Sequence, residues 1–273
     1  MTGKERISKV FENLSRKKEK GLITFVTAGY PDISRNIDIL KALADAGSDL
    51  IEIGIPFSDP VADGPVIQYS SYRALSGGLR IKDIYSIAGK LRAYTDIPVL
   101  FMTYYNPVMR AGLDNFSRLS AESGVDGLII PDLPVDEDDA LREAAGSHGL
   151  SLIPLVAPTT TDGRMKKIAA KADGFIYCVS VTGVTGKSEI NTDLDSFSKK
   201  VRQHTDRPLA LGFGISGPEL ARRFSPGFDA VVVGSAIVKL IRENPDPSEA
   251  IKCVAGLASR LKDALKTGGC GDE

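Results

Sequence analysis

Apolar runs of strand length recur along the chain at 22–26, 49–53, 98–103, 127–130, 152–156, 175–179, 209–211 and 230–233. Most are nearly continuous in Val, Ile, Leu and Phe, which is how strands covered on both faces of a parallel sheet read. Between them, apolar residues return at helical spacing over 33–46, 113–123, 136–148, 164–170 and 194–203, with several segments opened by Asp or Ser and closed by Gly. Further helices are expected to open near Gly217-Pro218 and at Gly234-Ser235, and a closing helix covers 248–266. The segment 7–20 carries Ile7, Val10, Phe11 and Leu14 on one helical face, so residues 1–20 are expected to add an amphipathic helix that caps the bottom of the fold. Eight strands alternating with helices in about 250 residues favour closure over an open sheet. The predicted fold is α/β, a single (β/α)8 TIM barrel with an extra N-terminal helix. Residues 1–273 form one domain, with 267–273 as a frayed tail. An open, doubly wound sheet is the runner-up.

Two connections exceed the usual length of a βα loop, one after Ile53 and one from Ser180 to Asn191. Both leave the C-terminal ends of strands, where barrel active sites are built. The first belongs to the stretch Leu50-Ile-Glu-Ile-Gly-Ile-Pro-Phe-Ser-Asp-Pro-Val-Ala-Asp-Gly-Pro65. If Ile51 and Ile53 face one side of a strand, Glu52 faces the other, in the middle of an apolar run. A buried carboxylate without a partner is costly or has a raised pKa, so Glu52 either lines a working cavity or pairs elsewhere. Pro56, Pro60 and Pro65 stiffen the loop, Gly54 and Gly64 are expected to make tight turns, and Asp59 and Asp63 are thereby held in place. Asp63 before Gly64 is also an ordinary turn residue, but with Glu52 at the same mouth the two form a candidate acid/base pair.

Composition narrows the chemistry. With 34 basic and 35 acidic residues the chain offers no bulk attraction to nucleic acid or to an anionic membrane, so any anion is bound locally. Cys178, Cys253 and Cys270 are scattered and lack metal-ligand spacing, which suits reduced thiols, with Cys178 in the core. No apolar stretch approaches the ~20 residues of a membrane helix and the start is charged, so the expected location is cytoplasmic. The two histidines, His148 and His204, fall at helix ends, and no metal site is expected.

Late glycines form a second constellation. Gly212-Phe-Gly-Ile-Ser216 follows the seventh strand and Gly234-Ser235 the eighth, the positions from which barrels bind phosphate through bare backbone N–H groups at helix starts. Gly183 to Gly186 offers a third group of donors. Each glycine alone is also what a tight turn needs. Phe25, Tyr104, Tyr105 and Tyr177 are placed to line the mouth or simply to fill the core, and Asp132, in Pro131-Asp-Leu-Pro134, is a further strand-end acid.

These segments together, with Phe25-Val-Thr-Ala-Gly-Tyr-Pro-Asp32, Tyr105-Asn-Pro107 and Gly183-Val-Thr-Gly186, resemble the signature segments of the tryptophan synthase alpha subunit family, in order and over almost the whole chain. The Glu52-Ile-Gly-Ile-Pro-Phe-Ser-Asp-Pro60 segment is the most specific of them. The resemblance implies a lyase that cleaves indole-3-glycerol phosphate to indole and glyceraldehyde 3-phosphate by a retro-aldol step in tryptophan biosynthesis. It implies no cofactor in this chain, a pyridoxal-phosphate beta subunit as partner, and an alpha2-beta2 heterotetramer. By position, Glu52 is the general acid/base and Asp63 the acid beside the indole N–H. Phe25 and Tyr177 then lie at the indole end, and Gly186, Gly214, Gly234 and Ser235 around the phosphate. Pro56, Asp59 and Asp132 face the partner, and the loop 180–191 is a lid. Val181 stands where some members carry Arg. A stand-alone lyase releasing free indole and a non-catalytic phosphate-binding activator are the alternatives.

Overall fold

A computed structural model describes residues 1–179, 193–212 and 214–266. Its elements alternate as expected. The chain runs α1 (Gly3–Lys17), β1 (Gly21–Thr27), α2 (Ile33–Asp45), β2 (Leu50–Gly54), α3 (Pro65–Ser76), α4 (Ile81–Arg92) and β3 (Val99–Met102). It continues through α5 (Tyr105–Ala111), α6 (Leu113–Glu122), β4 (Gly127–Ile129), α7 (Asp139–Ser147), β5 (Ser151–Ile153), β6 (Leu155–Val156) and α8 (Asp162–Lys171). The last elements are β7 (Ile176–Val179), α9 (Leu194–Arg202), β8 (Leu209–Gly212), α10 (Pro218–Phe224), β9 (Ala230–Val233), α11 (Ser235–Glu243) and α12 (Pro247–Lys266). Helices α3, α4 and α5 add to those read from spacing.

All strand pairs are parallel, in the order β5-β4-β3-β2-β1-β9-β8-β7-β6. Only Pro154 separates β5 from β6, so the expected fifth strand is one segment broken in two, and the ring is nearly closed through it. The break has a simple cause. Proline has no N–H to give the ladder, while the Pro154 carbonyl still accepts from the Tyr177 N–H at 2.9 Å.

Alternation along the strands divides the core. Ile23, Leu50, Leu100, Ile129, Ile153, Phe175, Tyr177, Ala210, Ala230 and Val232 form one cluster inside the barrel. Their neighbours, such as Leu22, Ile51, Ile53, Val99, Phe101, Leu128 and Cys178, pack outward with the helices. Ile7, Phe11 and Leu14 of α1 join the inner cluster, so the first helix does plug the bottom of the barrel. It starts earlier than its apolar face suggests, because Thr2 and Glu5 form a reciprocal capping box, and it ends at Lys18, whose φ of 57° is left-handed.

The bottom carries a repeated device. Asp49, Asp126 and Asp229 each precede a strand and follow, two residues on, a glycine of positive φ: Gly47, Gly124 and Gly227. Each donates its N–H to the neighbouring strand and accepts that strand's N–H on its carboxylate. The accepted bonds come from Leu22 at 2.7 Å, Val99 at 2.8 Å and Leu209 at 2.7 Å. Each is also ion-paired: Asp49 with Lys262, Asp126 with Arg6 and Arg92, Asp229 with Arg202. Three strand starts are thus pinned at the end opposite the site.

Helix α7 begins at Asp139 rather than at 136, since Asp136 turns away to pair with Arg164 and Lys167. The connection 130–138 is therefore a third long loop at the C-terminal mouth, beside 55–64.

Candidate active site

Glu52 sits at the centre of β2, in phase with Leu50 and out of phase with Ile51 and Ile53, so its side chain points into the barrel. It is fully buried, and among the described residues neither carboxylate oxygen meets a hydrogen-bond partner. Burial alone pushes its pKa from 4.5 to about 8. At neutral pH Glu52 is therefore mostly a carboxylic acid. Asp63 reaches the same cavity from the loop 55–64. Its pKa is pushed up to about 6 by burial, opposed by a hydrogen bond from the Tyr104 hydroxyl, and it is mostly ionised at neutral pH. Two carboxyls in one cavity with different protonation states is the arrangement that lets one transfer a proton while the other stays charged.

The loop that carries Asp63 is tied down. Tyr104 accepts the Ala62 N–H at 3.0 Å while bonding to Asp63, Gln68 donates to the Asp63 carbonyl at 2.7 Å, and the Asp63 N–H reaches the Pro60 carbonyl. Tyr104 was legible as an aromatic at the mouth, but its hold on Asp63 was not. Burial and the Asp63 charge in turn push the Tyr104 hydroxyl up.

Aromatic rings wall the cavity, and glycines make room for them. The Phe25 ring, beside Glu52 in the β1–β2 register, occupies the space a Cβ on Gly54 would need, 2.3 Å from its Cζ. Gly54 is thus a strand residue that admits a ring, not the tight turn expected of it. Gly212 does the same for Tyr177, where a Cβ would stand 2.1 Å from the ring. Tyr177 is buried, and its hydroxyl pKa is raised well above the ordinary value, first by burial and then by Glu52 and Asp63. Ile67, Met102, Ile215 and Val232 complete the apolar lining. Spacing does signal Met102, since it shares the inward phase of Leu100.

Gly214, Gly234 and Ser235 line the same cavity. Ser235 opens α11 with Gly234 as its cap, so the first N–H groups of that helix have no intrahelical partner and face an anion favourably. Helix α10 offers less, because Pro218 at its first position lacks an N–H. Gly186, Val181 and the expected lid over 180–191 lie outside the described residues, as does the tail 267–273.

Of the remaining residues, Asp59 is exposed on the loop tip, whereas Pro56 is buried and forms its base rather than its surface. Val61, 78% exposed, is the most open apolar side chain there. Asp132 is exposed and accepts the Tyr105 N–H at 2.8 Å, holding the start of α5. A larger cleft of about 1020 Å³ lies at the bottom between α1 and the approach to β8, but acidic and basic side chains are mixed around it and neither candidate acid reaches it. Among the described residues no group of His, Cys, Asp and Glu is arranged to hold a metal, and no helix is long and apolar enough to cross a membrane.

Comparison with known proteins agrees with this geometry. A family model described as tryptophan synthase alpha chain matches residues 11–266. The chain is 49% identical to the tryptophan synthase alpha chain of a Thermoanaerobacter species, over 95% of this chain and 99% of that one. It is 46% identical to that of Methanosarcina mazei, over 95% and 94%. Among solved structures it is similar to Mycobacterium tuberculosis tryptophan synthase, with a TM-score of 0.89, 32% identity and 96% and 98% coverage. It is also similar to the Legionella pneumophila alpha subunit, with a TM-score of 0.86, 33% identity and 97% and 98% coverage. The chain belongs to the tryptophan synthase alpha chain family.

Proposed function

We propose that this chain is a lyase that cleaves indole-3-glycerol phosphate to indole and glyceraldehyde 3-phosphate, with Glu52 as the proton-transfer group and Asp63 as the fixed anion. One observation carries the assignment of roles: Glu52 is fully buried, without a hydrogen-bond partner among the described residues, and neutral near pH 7, while Asp63 in the same cavity is favoured in its ionised form by Tyr104.

The chemistry follows from those states. The Glu52 carboxylic acid gives its proton to C3 of the indole ring, and the positive charge that develops on the ring nitrogen is balanced by Asp63. Glu52, now a carboxylate, takes the proton from the hydroxyl on the carbon bonded to C3. The C–C bond to C3 breaks, its electron pair returns to the ring as indole, and the hydroxyl carbon becomes the aldehyde. Glu52 ends protonated, as it began. Phe25 and Tyr177 hold the ring and exclude water, and the backbone at Gly214, Gly234, Ser235 and Gly186 receives the phosphate.

The step needs no cofactor in this chain. The partner is a beta subunit that holds pyridoxal phosphate, in an alpha2-beta2 assembly in the cytoplasm. The exposed loop tip around Asp59 and the face around Asp132 are the surfaces offered to it, with Pro56 stiffening the loop from beneath. The reading is tested by a steady-state assay of the purified chain on indole-3-glycerol phosphate, with and without a pyridoxal-phosphate beta subunit. Indole and an aldehyde phosphate in equal amounts are expected, faster with the partner. No indole under either condition would end it.

A further inference from the structure

A second, smaller cavity of about 20 Å³ adjoins the first and shares Phe25, Asp63, Ile67 and Met102 with it. Its other side chains are largely polar, among them Thr27, Ser71, Thr103 and Tyr104. Thr27 is satisfied by Ser70 at 2.6 Å, and the Tyr104 hydroxyl is taken up by Ala62 and Asp63. Thr103 is different. It is 2% exposed, and among the described residues its hydroxyl meets no partner. A buried hydroxyl without a partner is destabilising, and one that lines a cavity can be satisfied by a water. The cavity has room for about one water, and with Asp63, Ser71, Thr103 and Tyr104 on its wall a water there has the two to four polar partners it needs. Among the described residues neither cavity is lined by a basic side chain. Among the described residues, the ionisable groups facing Asp63 are Glu52 from β2, Tyr177 from β7 and Tyr104 before α5, with Asp132 beyond Tyr104, and the hydrogen bond from Tyr104 is what favours its charged form.

We propose that Thr103 and Ser71 seat one ordered water against the Asp63 carboxylate in this chamber, making Thr103 a positioning residue for Asp63. The Thr103 hydroxyl donates to the water and the water donates to the carboxylate, from the chamber side, while Tyr104 donates its own bond. The proposal rests on Asp63 as the fixed anion of the reaction proposed above.

Two readouts separate the chamber from the reaction. In protein labelled with ¹³C at aspartate carboxyls, with the Asp63 signal assigned by Asp63→Asn, the Asp63 titration midpoint is measured without turnover. Thr103→Val keeps the shape and removes the hydroxyl; it is expected to raise that midpoint by about half a pH unit, a threefold change in the proton equilibrium. Thr103→Ser is expected to restore the wild-type value. The acid limb of kcat/KM should move with the midpoint, a change that loss of packing alone would not produce. If Thr103→Val does not fold, Thr103→Ala is read in its place. An Asp63 midpoint unmoved by loss of the hydroxyl, or Thr103→Ser behaving like Thr103→Val, overturns the water site. A wild type that titrates as expected yet releases no indole leaves the chamber standing and removes the reaction.

Discussion

The Phe25 ring stands where the β-carbon of residue 54 would be, so Gly54 and Phe25 are a matched pair: the strand that carries Glu52 ends in a residue with no side chain because its neighbour needs the space. The ring is thereby fixed beside the buried acid, and the aryl wall of the cavity is set by the backbone. Replacing Gly54 by Ala is expected to force the ring aside, costing about 1–3 kcal/mol by overpacking and lowering kcat/KM. In Phe25→Ala the same Gly54→Ala change should cost much less. A double-mutant cycle read by urea denaturation checks this, and additive losses would show that the two positions do not meet.

Tyr104 opposes the effect of burial on Asp63. Removing its hydroxyl in Tyr104→Phe deprives the carboxylate of a charge-assisted bond and the Ala62 N–H of its acceptor. The Asp63 pKa should rise from about 6, so activity on the acid side is lost at a higher pH than in the wild type, by about one unit. Substrate phosphate also titrates near there, but identically for both enzymes, so the difference between the two pH profiles isolates Asp63.

Stability also reports on Glu52. Its folded pKa of about 8 lies above the ordinary 4.5, so between these values the unfolded chain gives up a proton that the folded chain keeps. Stability is therefore undiminished below pH 4.5 and falls, by about 1.4 kcal/mol per pH unit, as pH rises toward the folded pKa. Glu52→Gln has no such proton, so its stability relative to wild type should grow from pH 5 to pH 8. Chemical denaturation at several pH values measures the difference, and a gap constant with pH would show that Glu52 is not a buried neutral acid.

The bottom of the barrel should separate from the top. Asp126 joins Arg6, Arg92 and the Val99 N–H beneath β3 and β4, away from the cavity. Asp126→Ala leaves two partly buried guanidinium groups without their anion and is expected to cost about 3–5 kcal/mol, with KM unchanged for the folded fraction. Thermal melts and steady-state kinetics on the same sample test that split.

What could be read from the sequence depended on period and spacing. The alternation Leu50-Ile51-Glu52-Ile53 puts Glu52 on the face opposite Ile51 and Ile53, because a strand allows only two faces; that this face is the inside of the barrel follows from the structure. The fifth strand was visible as an apolar run, but its break was not, since Pro154 can sit in a strand whose missing N–H is not needed. Helical spacing ran on past the true start of α7 because Asp136 looks like a cap, while its carboxylate is drawn off by Arg164 and Lys167, residues 28 and 31 positions away. The same limit hid the bond from Tyr104 to Asp63 and the role of Gly54. Each joins residues whose separation along the chain carries no period, and only the closed barrel brings them together.

The central claim is that Glu52 works as a buried neutral acid. Its most direct test is kcat/KM for indole release from indole-3-glycerol phosphate between pH 6 and 10, in wild type and in Glu52→Gln. The wild-type rate should fall about tenfold per pH unit above about 8, as the acid loses its proton. Glu52→Gln should be slower by about 10²–10⁴-fold with substrate binding largely kept. A wild-type rate that stays level to pH 10, or a Glu52→Gln enzyme within a few-fold of wild type, would contradict it.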